Sequence, residues 1–225
     1  MPARGRFHIL ILLVRGFVVN IRLPVSIYRF GVFLLVSTGL TLSLLACSRN
    51  ETSEAPKFKG IDITGAKYGK DFQLFDTDER VRTLADFKGK AVMLYFGFVQ
   101  CPDVCPTALT RAVEVKRLLG ADGERLQVIF VTVDPERDTN DILKAYMAAF
   151  DPTFLALHGN ADQTRSTAEH FKVYYKKVPT GSSYTMDHSA LSYVFDPNGQ
   201  LRLALRHEQS AQDYAHDIAQ LLKKS

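Results

Sequence analysis

Two apolar runs, AVMLYFGFV at residues 91–99 and LQVIFVTV at 126–133, constrain this chain more than any other feature. Both are rich in β-branched and aromatic residues, neither alternates with polar positions, and each is too short for a long helix. Strands buried on both faces of a parallel sheet have that composition. Between the runs, Ala108, Ala112, Val115 and Leu119 recur at helical spacing and make one apolar stripe. Strand, helix and strand over this length form a βαβ unit.

The pattern continues downstream. A helix is expected from about Asp138 to Phe150, then a short strand FLALH at 154–158, then a helix capped by Asn160 and reaching about Phe171. VYYKKV (173–178) reads as extended, and TGSSYTMDHS after it as a polar loop. ALSYVFD and QLRLALR are joined through Pro197, Asn198 and Gly199, a strong hairpin signal. Ser210 with Asp213 can cap a last helix whose apolar face is Ala211, Tyr214, Ala215, Ile218 and Leu222. This order predicts an α/β chain with a thioredoxin-like fold, an added N-terminal β-hairpin at about 72–84, and an extra helix. A flavodoxin-like sheet satisfies the same order; the position of the cysteines favours the thioredoxin arrangement.

The first 46 residues differ in kind. They hold five arginines, no lysine and no acidic residue, and residues 30–46, FGVFLLVSTGLTLSLLA, are apolar throughout. A basic flank before an apolar core marks an export signal or a membrane anchor. The segment ends in Leu44, Leu45, Ala46 and Cys47, which resembles a bacterial lipobox with Cys47 as the lipidated residue; an uncleaved transmembrane helix is the other reading. Residues 47–57 are polar, a flexible tether, and 58–225 are the folded domain. Without the five arginines, 23 basic residues stand against 24 acidic, and the net charge falls from +4 to −1. The basic excess therefore belongs to targeting, and no nucleic-acid partner is expected. An exported, membrane-anchored domain facing the periplasm or extracytoplasmic space follows, where disulfides persist.

That leaves Cys101 and Cys105 for the domain, in CPDVCP directly after the first apolar run. At a helix start, exposed N–H groups and the helix dipole favour thiolate. If the segment is helical, positions i and i+4 share a face, close enough for a disulfide or for one metal ion. A structural disulfide here closes only a small loop and adds little loop-closure entropy. Among the five histidines after residue 46, His170 and His216 fall in surface helices, and His158 and His207 end strands. His188, in YTMDHS, enters a strand after the crossover, where this fold brings it towards the active helix. Two thiolates and one imidazole lack the fourth ligand of structural zinc and suit copper, as Cu(I) or Cu(II). Asp187 can orient the ring or tune the site, and Asp103 and Asp134 are expected close to the ligands.

FGFVQCPDVCPTAL, VTVDPERDT (131–139) and MDHSALSYVFDPNG (186–199) resemble the SCO/SenC proteins in content, order and spacing, from about Phe58 to the last helix. The resemblance implies a thioredoxin-like domain that binds one copper through Cys101, Cys105 and His188. It implies a role in assembling the dinuclear copper centre of cytochrome c oxidase, as copper carrier, as thiol reductant of that site, or both. The partners so implied are the copper-site subunit of the oxidase and other copper carriers or thiol reductants. Val99 and Gln100 depart from the threonine and the polar residue, such as histidine, that commonly precede the first cysteine. The DPERD segment reads either as a docking surface or as turn and cap chemistry. Two rival readings are a thiol-disulfide oxidoreductase without obligatory metal, in which Cys101 and Cys105 are the redox-active pair, and a peroxidase-like relative. Phe98 stands where the peroxidase pattern needs threonine.

Overall fold

The computed structural model describes residues 8–14, 17–23 and 57–223. Contacts divide the chain into residues 1–55 and 56–225. In the first unit, β1 (His8–Val14) and β2 (Phe17–Leu23) pair antiparallel, with Val14 opposite Phe17. The expected apolar core of the signal or anchor, Cys47, and the tether up to Lys57 lie outside the described residues. Among the described residues, no helix is long and apolar enough to cross a membrane.

The second unit is built on an eight-stranded mixed sheet. Its strands are β3 (Ile61–Asp62), β4 (Leu74–Asp76), β5 (Val81–Arg82), β6 (Ala91–Gly97), β7 (Leu126–Thr132), β8 (Leu155–His158), β11 (Leu191–Phe195) and β12 (Leu201–Arg206). The spatial order is β3-β12-β11-β6-β7-β8-β4-β5. The two apolar runs are its centre: β6 and β7 pair parallel, Tyr95 opposite Phe130 and Gly97 opposite Thr132. Every residue of both strands is buried. Burial of each large apolar side chain there contributes about 1.5–3 kcal/mol, so this centre anchors the sheet. The added N-terminal hairpin is β4–β5, laid antiparallel on the far side of β8.

Among the described residues, four α-helices accompany the sheet: α1 (Val104–Leu118), α2 (Asn140–Ala148), α3 (Ala161–His170) and α4 (Ala211–Lys223). The crossover helix α1 packs on α4 and buries Ala108, Ala112 and Val115, the expected stripe; Leu119 caps it and is only partly buried. Asn160 caps α3 in a reciprocal box with Gln163. Ser210 and Asp213 close the same kind of box before α4. Helix α2 is shorter than expected, because Asp138 turns inward instead of starting it.

One expectation is corrected. TGSSYTMDHS is not a loop: β9 (Tyr175–Thr180) and β10 (Ser183–His188) form a separate two-stranded antiparallel sheet. Ser183 pairs with Thr180, leaving Gly181 and Ser182 as the turn. Gly181 has φ +58°, the glycine-first two-residue turn whose twist matches the flanking strands. His188 is therefore the last residue of a strand.

Candidate metal centre

The site begins where the central sheet ends. β6 delivers the chain into residues 98–103, and α1 starts at Val104, so Cys105 is helical and Cys101 precedes the helix. The pair thus does not share one helical face. Instead Cys101 sits in front of the helix N-terminus, and the backbone N–H of Cys105 points at its Sγ, at 3.4 Å. The N–H of Asp103 is directed at the same sulfur. Cys105 is fully buried and Cys101 nearly so; both are free thiols. Gly97 makes this packing possible: a Cβ there would lie 2.7 Å from the Cys105 sulfur and 2.7 Å from the Phe130 ring.

His188 arrives from β10, 83 residues later. Its Nε2 is 3.5 Å from the Cys105 Sγ. Its Nδ1 is 2.9 Å from the Ser189 carbonyl oxygen. A carbonyl can only accept, so Nδ1 carries the proton and Nε2 turns a lone pair towards the sulfurs. Tyr95 and Phe98 meet the imidazole edge to face, at 6.1 and 5.8 Å between centroids. The donor atoms of Cys101, Cys105 and His188 all lie within 4.8 Å of one another, and they form the one such group among the described residues. Ligands bound at about 2.0 Å through nitrogen and 2.3 Å through sulfur stand roughly 3.5–3.7 Å apart at tetrahedral or trigonal angles. The observed nitrogen–sulfur separation already meets that spacing. A shallow cavity of about 350 Å³, lined by Phe98, Cys101, Pro102, Tyr174 and His188 among others, opens the group to solvent.

The two thiols are unequal. The Cys105 thiol donates to Cys101 and, against the opposing effect of burial, holds the Cys101 pKa far below an ordinary thiol; the backbone N–H groups of Asp103 and Cys105 add to this. The same contact, then burial, pushes Cys105 up. Cys101 is the thiolate and Cys105 keeps the proton. Burial also raises the pKa of Tyr95, so its hydroxyl stays neutral beside Cys105.

The three carboxylates expected near the donor atoms differ in burial and in partners. Asp187 is exposed; it lines the cavity, and the ring of His188 is oriented by the Ser189 carbonyl. Asp103 is exposed at the N-cap of α1, its carboxylate accepting from the Thr107 hydroxyl at 3.4 Å. Asp134 is buried and accepts from Arg137 and from the Tyr184 hydroxyl. Asp138, expected as the start of a helix and as part of a turn or docking segment, holds the loop before Cys101. Its carboxylate accepts the Val99 N–H at 3.1 Å and the Thr132 hydroxyl at 2.6 Å. Of the acidic residues in DPERD, only Glu136 faces solvent. The other histidines serve the frame: His170 accepts the Lys70 N–H, and His216 contacts Asp217.

The chain matches the SCO1/SenC family over residues 62–223. It is 35% identical over 172 residues to a SCO2-like protein of Rickettsia felis, covering 74% of this chain and 82% of that one. It is 38% identical to the mitochondrial SCO2 homolog of Bos taurus, covering 76% and 66%. Among solved structures it resembles copper-bound ScoI of Bradyrhizobium japonicum, with TM-score 0.63 and 38% identity over 69% of this chain and 99% of that one. Apo Sco1 of Thermus thermophilus gives 0.66 and 35% over 73% and 97%.

Proposed function

This chain belongs to the SCO1/SenC family, and on that premise we propose that it is a copper carrier for the dinuclear copper site of cytochrome c oxidase. Copper is its cargo, held by Cys101, Cys105 and His188. The observation that carries the reading is the convergence of two sulfurs and one correctly protonated imidazole from segments 83 residues apart. Two thiolates with one imidazole are a soft donor set suited to copper. Copper uptake displaces the proton of Cys105, and transfer to a client proceeds by ligand exchange at the open cavity. The basic and apolar character of residues 1–46 supports export and a tether, through lipidated Cys47 or an uncleaved helix, that leaves the domain outside the cytoplasm.

Titration of the reduced protein with Cu(II) tests this. A thiolate-to-copper absorption band grows to one equivalent, and His188→Ala weakens binding by more than roughly tenfold. Unchanged affinity in that variant removes His188 from the site.

The inequality of the thiols supports a second reading, reduction of a client disulfide. The Cys101 thiolate attacks one client sulfur, forming a mixed disulfide and releasing the other client sulfur as thiolate. Cys105 then gives up its proton and attacks the Cys101 sulfur, releasing the second client thiolate; the client gains two electrons and the pair becomes a disulfide.

A further inference from the structure

The hairpin that carries His188 meets the dithiol loop through one arginine. Arg137 lies between β7 and α2, outside every ligand-bearing element. Its Nε donates to buried Asp134 at 2.5 Å. Its Nη1 donates to the Tyr184 carbonyl at 2.8 Å and to the Gln100 side-chain oxygen at 3.1 Å. Its guanidinium carbon lies 3.7 Å from the centre of the Tyr184 ring, over which Lys177 Nζ also sits, at 4.1 Å. The Tyr184 hydroxyl closes the circuit by donating to Asp134 at 2.9 Å. Gln100 directly precedes Cys101, and Tyr184 lies four residues before His188 on the same strand, hence on the same face. One planar cation therefore touches both segments that present donor atoms. The remaining nitrogen, Nη2, is buried without a partner, a cost the fold carries to keep the guanidinium at this position.

We infer that Arg137 is a positioning residue of the metal site: by clamping Gln100 and Tyr184 to buried Asp134 it sets the distance of His188 from the two sulfurs. The inference rests on the reading of Cys101, Cys105 and His188 as the ligand set. The sulfurs depend on the clamp less, since Cys105 is in α1 and Asp138 already holds the loop before Cys101 through the Val99 N–H. The hairpin depends on it more, because β9 and β10 are not hydrogen-bonded into the main sheet. Lysine does not replace arginine here: it keeps the charge beside Asp134 but has no planar fork to reach two acceptors while covering a ring. Gln100 belongs to the clamp through its side-chain oxygen.

The test uses the full-length chain in detergent micelles, as wild type, Arg137→Lys, Gln100→Ala, His188→Ala and the Arg137→Lys/His188→Ala double variant. Both clamp variants leave Asp134 a charged partner, and Gln100 is exposed, so folding is preserved. In the metal-free protein, Arg137→Lys speeds hydrogen exchange of the amides of 183–189 about tenfold and leaves 126–132 unchanged; Gln100→Ala does the same by about threefold. Hairpin exchange equal to wild type in Arg137→Lys overturns the clamp. With Cu(II), Arg137→Lys weakens binding about tenfold, and His188→Ala costs less in that background than alone. Strictly additive losses overturn the route through His188. A wild-type chain that takes up no copper refutes the ligand reading, while the exchange experiment still decides the clamp.

Discussion

The two halves of the metal centre are built by opposite means. The sulfurs stand at the end of the most buried strand and the start of the crossover helix, where moving them means moving the core. The imidazole stands at the end of a half-exposed two-stranded ribbon held by Arg137, Tyr184, Lys177 and a few backbone bonds. Local opening free energies follow burial and hydrogen bonding, so the histidine side opens at lower cost than the sulfur side. The proposed carrier role would use that asymmetry: the two sulfurs would retain the cargo, and release of the imidazole would begin the exchange.

The comparison breaks most visibly at the sulfurs. Cys101 is a thiolate first because Cys105 donates to it. In the wild type, alkylation of Cys101 therefore stays level as pH falls from 8 to 5. In Cys105→Ala it declines below the new pKa, by about tenfold for each pH unit. The linked effect on stability has a definite sign. The depressed Cys101 pKa contributes stability that is present above the free-thiol pKa and lost as pH falls through the folded value. The raised Cys105 pKa contributes stability present below the free-thiol pKa and lost as pH rises. The reduced domain is thus most favoured near the free-thiol pKa of about 8.5, and Cys105→Ala flattens the acid limb. A wild-type alkylation profile that falls like a free cysteine would show the thiols to be equivalent.

Much of the sulfur side was legible in the sequence, and little of the histidine side. The runs 91–99 and 126–133, the stripe on α1 and the caps at Asn160 and Ser210 each have a local cause, so local pattern finds them. The hairpin 175–188 turns only a narrow face inward, Met186 between half-buried Tyr184 and His188, and the rest of its order comes from Tyr184 under two cations and from a glycine turn. His188 itself was found because its place after the crossover, not its neighbours, selects it. The sequence suggests Asp187 as the group beside the ring, whereas the ring is oriented by a backbone carbonyl, which leaves no signature in residue type. DPERD reads like solvent-facing charge, yet Asp134 and Asp138 turn inward to bonds that only the folded chain supplies.

Two glycines, one in each region, sharpen the contrast. Gly97→Ala drives a methyl against the Cys105 sulfur and the Phe130 ring, and neither can retreat from the core. Overpacking of this kind costs about 1–3 kcal/mol, which lowers Tm by about 2–4 °C for each kcal/mol in a domain of this size. It also displaces Cys105, so thermal stability and copper affinity fall together. An unchanged Tm would mean that the centre of the sheet is softer than its burial implies.

Gly181→Ala makes the smaller change. No atom lies within 4 Å of a Cβ at that position, so the cost is conformational: φ +58° is the left-handed region, which costs alanine about 1 kcal/mol more than glycine. That strain falls on the hairpin alone. The Tm measured for the whole domain moves little, since the ribbon opens without the core, while amide exchange within 175–188 rises and copper affinity falls a fewfold through the looser His188. The result to look for is the separation of the two readouts. If Gly181→Ala lowers Tm as far as Gly97→Ala does, the ribbon unfolds only with the core, and the asymmetry between firm sulfurs and a releasable histidine is wrong.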